Sequence, residues 1–451
     1  MSNAIDHLKL SRYILWVKPF DESGNEVLLF STRTSAIIET TDYVLDLLLR
    51  ECFEKIEEET LSLLVKKEFI VDKNEDEFEN IISDNQSKIQ KNSTLSLTIQ
   101  PTANCQLGCH YCGQTHSKDY MQEDVYEKMY DRITFLLQTS SCKKLNVCWY
   151  GGEPLTRIKT IHTLSDKLLH ISFDKGIDYS ASMVTNGLAL KKAIFEELVE
   201  KHKVQSFQIT IDGTASYHDT RRITKQGKHT YDTILNNIKE IIQSPFYTKD
   251  MIVIRCNVDR TNSNGVSDLI DELANANLKD KIRFYVAPIT DWGNNNATEN
   301  VGIDKKSLAS MEIDWLIKSM RNGFASQKNI IPQRQYEVCM VVNDKSEVYD
   351  AFGNVYPCWE FPYTEPYLGA EYKIGNLKDD YDTFNTNAIT RNWNTYIKEG
   401  KTWCKECKFL PVCGGGCPKM WYENQPPCPT FKFNMEERLK LYYCLKKGIS
   451  L

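Results

Sequence analysis

The stretch that decides the interpretation of this chain is Asn104-Cys105-Gln106-Leu107-Gly108-Cys109-His110-Tyr111-Cys112-Gly113. It follows a predicted strand, Leu95–Gln100, and its cysteines have the spacing C-x3-C-x2-C. Three thiolates at this spacing fit around one iron–sulfur cube and leave its fourth iron without a protein ligand. Such an iron can bind a small molecule and pass it an electron, so the motif predicts an enzyme.

A zinc site is the alternative interpretation of Cys105, Cys109 and Cys112. Structural zinc normally takes four ligands, and His110 and His116 are the nearby candidates for the fourth. The motif directly follows a predicted strand. This position favours a catalytic cluster, because the active sites of α/β barrels lie at the carboxyl ends of their strands.

Composition excludes several classes of protein. The chain has 451 residues, of which 41% are hydrophobic and 26% charged, with a net charge of −6. This size allows two or three domains, and no basic run indicates a nucleic-acid partner. Met1–Arg12 lacks the apolar core of a signal peptide, and no apolar stretch approaches the roughly 20 residues of a membrane span. We therefore expect a cytoplasmic protein without a membrane partner.

Fifteen cysteines are many for a cytosolic chain, where disulfides are rare. Besides the triplet, seven cysteines fall between Cys339 and Cys428. We expect the remaining five to behave as small buried hydrophobic residues; these are Cys52, Cys142, Cys148, Cys256 and Cys444.

Predicted strands and helices alternate from Thr94 to about Thr290, which indicates an α/β fold with a parallel sheet and helices outside it. Six such units predict an open, partial barrel with its active site at the carboxyl ends of the strands. The predicted strands are Leu95–Gln100, Leu145–Tyr150, Tyr179–Thr185, Ser206–Ile211, Met251–Val258 and Ile282–Ala287.

Three domains are expected, at residues 1–93, 94–329 and 330–451. In the first, the pattern predicts strands and helices at Arg12–Lys18, Val27–Phe30, Ser35–Ile38, Tyr43–Cys52, Glu57–Lys67 and Glu75–Ile82, with a turn at Asp21–Asn25. The polar run Gly293–Asn300 marks the end of the barrel strands. The last domain is rich in cysteine and poor in regular periodicity.

The run Tyr150-Gly151-Gly152-Glu153-Pro154 follows the second barrel strand. Two glycines permit a close approach of backbone to a ligand, and Glu153 can accept hydrogen bonds from an ammonium group. Alone the run would equally fit a tight turn. Its place beside the cysteine triplet favours a binding loop.

The triplet with Tyr111 before its last cysteine, together with Gly151–Pro154, resembles the radical S-adenosylmethionine (SAM) superfamily. The resemblance implies a partial (β/α)6 TIM-like barrel and a 4Fe-4S cluster whose unique iron binds SAM. One electron then cleaves SAM, and the 5′-deoxyadenosyl radical abstracts a hydrogen from the substrate. The cofactor-binding residues implied are Tyr111, Gly151, Gly152, Glu153, Asn186, Thr210 and Arg222.

The later cysteines resemble the SPASM domain of peptide-modifying radical enzymes, which carries two auxiliary 4Fe-4S clusters. The resemblance assigns Cys404, Cys407, Cys413 and Cys428 to one cluster, and Cys339, Cys358 and Cys417 to the other. Residues 329–338 contain no further cysteine, so the second cluster has either an open iron or a non-cysteine ligand. Two alternatives stay open: a zinc ribbon on Cys404, Cys407, Cys413 and Cys417, and Cys444 in place of Cys428.

These resemblances predict a radical SAM peptide maturase that acts on a ribosomally made precursor and forms a cross-link. Residues 1–93 resemble the winged-helix-like peptide-recognition domains fused to such enzymes, which bind the precursor's leader as an added strand. A cap without a ligand is the alternative. A flavodoxin or ferredoxin would supply the electron.

Two other functions are alternatives to this one. Sulfatase-maturing relatives, which oxidise cysteine or serine to formylglycine, place an aspartate base directly after the cysteine equivalent to Cys358. Here that position holds Trp359, and Glu360, one residue on, is either the catalytic base or a structural acid. A non-catalytic iron–sulfur carrier has no need of the Gly151–Glu153 loop.

Overall fold

The computed structural model describes residues 5–19, 24–293, 295–325, 330–385 and 390–449. The amino-terminal unit consists of strands β1 (Leu8–Leu10), β2 (Ile14–Val17), β3 (Glu26–Ser31), β4 (Ile37–Thr41) and β5 (Ile70–Asp72), and helices α1 (Asp42–Leu49), α2 (Glu58–Lys66) and α3 (Glu77–Lys91). The predicted strands and helices of this unit are confirmed, although α3 is longer than its predicted range. Most of the predicted turn, residues 21–23, lies outside the described residues.

Strands β2, β3 and β4 form an antiparallel sheet with β3 in the middle, while β1 pairs with β5. Alternate residues of β3 point to opposite faces, and both faces are buried. Val27 and Leu29 pack with the unit's own helices, whereas Leu28 and Phe30 pack against the last helix of the chain. The amino-terminal unit therefore lies against the carboxy-terminal region.

The barrel contains six neighbouring parallel strands, which confirms the predicted α/β fold and all six predicted strands. They are β6 (Thr94–Ile99), β7 (Lys144–Trp149), β8 (Asp178–Thr185), β9 (Val204–Thr210), β10 (Ile252–Val258) and β11 (Arg283–Pro288). The helices are α4 (Glu123–Thr139), α5 (Ile158–Lys175), α6 (Lys192–Glu200), α7 (Ala215–Arg221), α8 (Tyr231–Ile241), α9 (Val266–Leu273), α10 (Ala297–Val301) and α11 (Lys305–Arg321).

The carboxy-terminal region contributes strands β12 (Ser346–Tyr349), β13 (Asn354–Tyr356) and β14 (Gly375–Asn376) and helices α12 (Trp393–Lys398), α13 (Leu410–Cys413), α14 (Pro418–Tyr422) and α15 (Met435–Lys446). Strand β12 runs parallel to β6, so the barrel sheet continues through β12, β13 and β14. The predicted boundary between residues 329 and 330 therefore does not separate two sheets. Residues 326–329, at that boundary, lie outside the described residues.

A buried ion pair fastens the carboxy-terminal region to the barrel. Arg132 of α4 donates to Glu347 of β12 at 2.6 Å, and the Tyr349 hydroxyl donates to the same carboxylate at 2.6 Å. Removing one partner of a buried pair typically costs about 3–5 kcal/mol, because the other charge is left without compensation. The contact therefore fixes β12 beside β6, whose carboxyl end carries the cysteine triplet.

Within the part of the chain that the structure describes, the helices are too short or too polar to cross a membrane.

Candidate active site

A cavity of about 150 Å³ opens at the carboxyl ends of β6 to β9. It brings together nine of the sequence-predicted site residues: Cys105, Cys109, Tyr111, Cys112, Gly151, Gly152, Asn186, Thr210 and Arg222. They come from loops that are far apart in the chain, and the parallel strands deliver them to one edge. The remaining predicted cofactor residue, Glu153, is fully buried beside this lining.

Polar backbone groups surround the three thiols of the triplet, of which Cys105 is buried and Cys109 and Cys112 are half-buried. Burial raises the pKa of Cys105 to about 12 and that of Cys109 to about 11, while the Arg222 guanidinium acts to lower the pKa of both. The Leu107 N–H donates to the Cys105 sulfur, and the Gln114 N–H donates to that of Cys112. A metal must therefore displace protons from these thiols, and the N–H donors and the guanidinium stabilise the thiolates once formed.

The two glycines let the Gly151–Pro154 loop lie directly on the cysteine loop. Gly151 and Gly152 have φ values of +76° and +48°. A Cβ on Gly152 would lie 2.5 Å from the Asn104 carbonyl oxygen. Without it, the Glu153 N–H donates to that oxygen at 2.8 Å, and the Gly152 N–H donates to Gln114 Oε1 at 3.0 Å. Only glycine satisfies both the left-handed backbone and this close contact.

The Glu153 carboxylate accepts three hydrogen bonds from the protein. The donors are the Leu155 N–H at 3.0 Å, the Thr185 hydroxyl at 2.7 Å and the Asn186 N–H at 2.7 Å. Burial raises the pKa of Glu153, and these donors oppose the rise. The carboxylate thus fastens the end of β7 to the end of β8. A hydrogen bond from an ammonium group to Glu153 stays a prediction.

The Tyr111 hydroxyl is fully engaged by protein groups. It donates to Asp212 at 2.5 Å and accepts from Arg222 at 2.5 Å and from the Asn257 amide at 3.0 Å. Tyr111 therefore orients Arg222. Sequence reasoning gave no role to Asp212 or Asn257. The signal was their position, since Asp212 follows β9 and Asn257 lies at the end of β10.

Two buried donors in this region have no hydrogen-bond partner among the described residues, namely Arg222 Nε and Gln114 Nε2. Both side chains line the cavity with the three thiols. Unpartnered donors beside soft sulfur ligands fit an anionic cluster and a carboxylate-bearing small molecule. For the zinc alternative, His116 Nε2 lies 3.7 Å from Cys112 Sγ, whereas His110 contacts Asp259 instead.

A second cavity of about 150 Å³ adjoins the first, and both are lined by Tyr111, Cys112, Gln114, Tyr150, Val184 and Thr210. Its other polar lining includes Gln208, Arg255 and Glu360. Burial raises the pKa of Glu360, while Arg255 and Lys419 act to lower it. The space beyond the thiols therefore carries both signs of charge. Sequence reasoning selected Glu360 but missed Arg255, Gln208 and Lys419.

The later cysteines fall into two groups. The first surrounds a small cavity of about 20 Å³ whose lining contains Cys404, Cys407, Cys413 and Cys428. Lys432 Nζ lies 3.7 Å from the Cys428 sulfur. Cys444 is not part of this lining.

The second group is Cys339, Cys358 and Cys417, which lie close enough for their charges to interact. Cys417 therefore lies with this group, and the four cysteines proposed for a zinc ribbon do not form one set. Glu360 lies near Cys358, Cys417 and Cys112, and its negative charge acts to raise the pKa of all three thiols. The carboxylate thus stands between the triplet and this group.

Comparisons with known proteins agree with the fold. Residues 99–261 match the model of the radical SAM superfamily. A cysteine-type anaerobic sulfatase-maturating enzyme of Clostridium novyi (strain NT) is 25% identical over 393 residues, covering 78% of this chain and 98% of the relative.

Two solved structures share the fold. The structure of anSMEcpe with bound AdoMet and Cp18Cys peptide has a TM-score of 0.59 at 18% identity, covering 78% of this chain and 99% of that one. Streptococcus suis SuiB bound to precursor peptide SuiA has a TM-score of 0.51 at 16% identity, covering 94% and 98%.

The partial barrel and the matching family model define an enzyme that binds SAM and an iron–sulfur cluster. The chain carries a radical SAM domain and is a radical SAM enzyme.

Proposed function

We propose that this enzyme is a maturase that forms a cross-link within a ribosomally made precursor peptide. The observation that carries the proposal is the arrangement of the two adjoining cavities, which leads from the triplet to Glu360. This carboxylate in turn lies beside Cys358 and Cys417 of the second group. When bound, the cluster and SAM supply a 5′-deoxyadenosyl radical that removes a hydrogen atom from the substrate. The second cavity would hold the residue that loses this hydrogen.

The residues around the first cavity would hold SAM. Arg222 and Gln114 offer buried donors for its carboxylate. The Gly151–Gly152 backbone can approach its amino group closely, because neither residue has a side chain. Thr210 lines both cavities and would contact the ribose between them. Asn186 Nδ2 lies 3.9 Å from Cys105 Sγ and would tune the cluster as a donor to its sulfur ligand.

The later cysteines would bind two auxiliary 4Fe-4S clusters in the groups that the fold assembles. A cross-link forms with the loss of two hydrogens from the peptide. One leaves as a hydrogen atom, and the other leaves as a proton and an electron. Glu360 would take the proton. Burial raises the pKa of this carboxyl group towards neutral pH, which makes the carboxylate a better base. The auxiliary clusters would accept the electron, and a flavodoxin or ferredoxin would supply the one that cleaves SAM.

The amino-terminal unit would bind the leader of the precursor. Among the described residues β4 pairs with β3 alone, so its outer edge offers backbone groups to an added strand. The unit also contacts the carboxy-terminal region, where the Thr32 hydroxyl donates to the Lys408 carbonyl at 2.6 Å and Lys398 pairs with Glu79 at 2.5 Å. A leader on β4 would be tethered to the same body that holds the clusters. The SuiB likeness, which covers 94% of this chain, supports this reading.

A sulfatase-type maturase is the second candidate, because the Clostridium novyi relative aligns with 78% of this chain. The residue after Cys358 argues against it. Trp359 packs on Tyr150 with ring centroids 5.5 Å apart. Its indole nitrogen is a donor only, so Trp359 cannot act as a base. Under this candidate Glu360 would have to replace the aspartate.

Mass spectrometry after anaerobic reaction separates the two candidates. The reconstituted enzyme would be incubated with SAM, a reductant and either a short peptide encoded beside its gene or a sulfatase peptide containing the target cysteine. We expect loss of two hydrogens from the precursor and no change in the sulfatase peptide. Formylglycine in the latter, with an unchanged precursor, would overturn the proposal.

A pair of variants tests the role of Glu360. Glu360→Gln should still form 5′-deoxyadenosine but lose at least about tenfold in cross-linked product, in the range of general-base effects. Glu365→Gln removes an exposed carboxylate of the same segment and serves as the control. Equal product from both variants would exclude Glu360 as the base.

A further inference from the structure

A cluster of two histidines and a glutamate lies on the outer helices of the barrel, apart from the cysteine sites. His162 belongs to α5, Glu197 to α6, and His202 follows α6. One possible ligand atom from each residue lies within 4.8 Å of the other two. The triplet cavity and the second cavity are lined by other residues, so the radical chemistry does not use this cluster.

The two imidazoles are unusual because their polar atoms lack hydrogen bonds. His202 is only 3% exposed, and neither of its ring nitrogens has a hydrogen-bond partner among the described residues. His162 Nε2 is also buried without one. Buried polar atoms are nearly always satisfied, so three imidazole nitrogens without a protein partner beside a carboxylate fit a site for a cation.

The surrounding groups fit a metal site. Glu197 Oε1 pairs with Lys201 at 3.1 Å, and Oε2 faces His162 Nε2 at 3.7 Å. Asp166 Oδ1 lies 3.5 Å from His202 Nδ1. In many metal sites a carboxylate contacts the imidazole nitrogen that does not bind the metal and so orients the ring. The imidazole rings are stacked at 4.7 Å with 21° between their planes, so one ring must rotate for both in-plane lone pairs to meet at one ion.

We propose that His162, Glu197 and His202 bind one divalent transition-metal ion, zinc by the character of its ligands. Two imidazoles and one carboxylate form a common zinc ligand set, with the fourth position left to water. Ligands about 2.0–2.2 Å from zinc lie roughly 3.3 Å apart in a tetrahedron, so the side chains must close slightly on the ion. The ion would clamp α5 to α6.

Zinc binding to the full-length holoenzyme tests the proposal. The clusters are reconstituted first, because free cysteines would also bind zinc, and the protein is washed with chelator and titrated with zinc chloride. Bound zinc is counted after gel filtration and examined by X-ray absorption at the zinc edge. His202→Asn, His162→Asn and Glu197→Gln are the test variants. His170→Asn is the matched control, since His170 lies on α5 but is 71% exposed and pairs with Asp174.

We expect one zinc per chain with nitrogen and oxygen ligands and without sulfur, in the wild type and in His170→Asn. Affinity should fall at least tenfold in each test variant, and zinc should raise the melting temperature of the wild type but not of these variants. Should His202→Asn fail to fold, Glu197→Gln decides alone, because Glu197 is partly exposed. No zinc in the wild type, sulfur ligation, or equal zinc in the test variants would overturn the proposal.

Discussion

The two cysteine regions of this molecule reach similar burial by different routes. Cys105, Cys109 and Cys112 lie on one short loop after β6, whereas the later thiols are gathered from separate segments between Cys339 and Cys428. The triplet is completed by a second loop, Gly151–Pro154, that leaves space for a ligand. The first later group encloses only about 20 Å³. The difference in enclosed volume supports the proposal that the triplet admits a small molecule, whereas this later group would enclose only its own cluster.

One short run divides the later thiols between their two groups. Gly414, Gly415 and Gly416 separate Cys413 from Cys417 and have φ values of +65°, +89° and +74°. This left-handed path turns the chain so that Cys413 faces one group and Cys417 the other. The indoles of Trp393 and Trp421 donate to the Gly414 and Gly415 carbonyls at 2.8 and 2.7 Å, which fixes the turn.

The largest expected effect is that of Cys109→Ala. Without this thiol the triplet cannot hold its cluster, and 5′-deoxyadenosine formation should fall to the background of the assay. Iron should fall from about twelve to about eight per chain if three clusters are present. Cys444→Ala is the control, because Cys444 lies outside the small cavity. Normal cleavage of SAM by Cys109→Ala would contradict the assignment of SAM cleavage to the triplet.

Cys358→Ala tests the role of the later cysteines. Removing a thiol from the second later group should reduce iron by about four per chain and abolish peptide product. Formation of 5′-deoxyadenosine should continue within about tenfold, because the triplet and Arg222 are untouched. Chromatography of both products from one reaction makes the measurement. Equal loss of both products would mean that the two regions do not function separately.

Arg222→Ala should weaken SAM binding by roughly 10- to 100-fold, the usual cost of a lost charge-assisted hydrogen bond. The change appears as a higher KM for SAM in the 5′-deoxyadenosine assay. Arg222→Lys keeps the charge but loses the geometry fixed by Tyr111, so a smaller rise is expected. An unchanged KM in the alanine variant would remove Arg222 from the binding site.

Gly415→Ala should produce the smallest effect, a loss of stability of about 1–3 kcal/mol. A Cβ there would lie 2.7 Å from the Trp393 ring on a backbone with φ of +89°. Gly400→Ala is a matched control, since its φ is +72° but its Cβ would meet no atom of the described residues within 4 Å. Thermal unfolding of both variants separates backbone strain from the clash. Equal melting temperatures would show that the tryptophan contact does not constrain the turn.

The sequence predicted well what depends on local pattern. The six barrel strands were recognisable because buried parallel strands are short apolar runs, and the triplet because its ligands share one loop. The continuation of the sheet through β12 was not predicted, since a four-residue strand carries little periodicity and its pairing with β6 is long-range. Asp212, Asn257 and Arg255 were missed for a related reason. Single polar residues at strand ends acquire meaning only when neighbouring strands bring them together.

Electron paramagnetic resonance of the reduced holoenzyme tests the central claim, that the triplet alone admits SAM. Spectra would be recorded with and without SAM for the wild type, Cys109→Ala and Cys358→Ala. We predict that SAM changes the signal of one cluster in the wild type and in Cys358→Ala, and changes nothing in Cys109→Ala. A SAM-dependent change that survives in Cys109→Ala, or disappears in Cys358→Ala, would contradict the account.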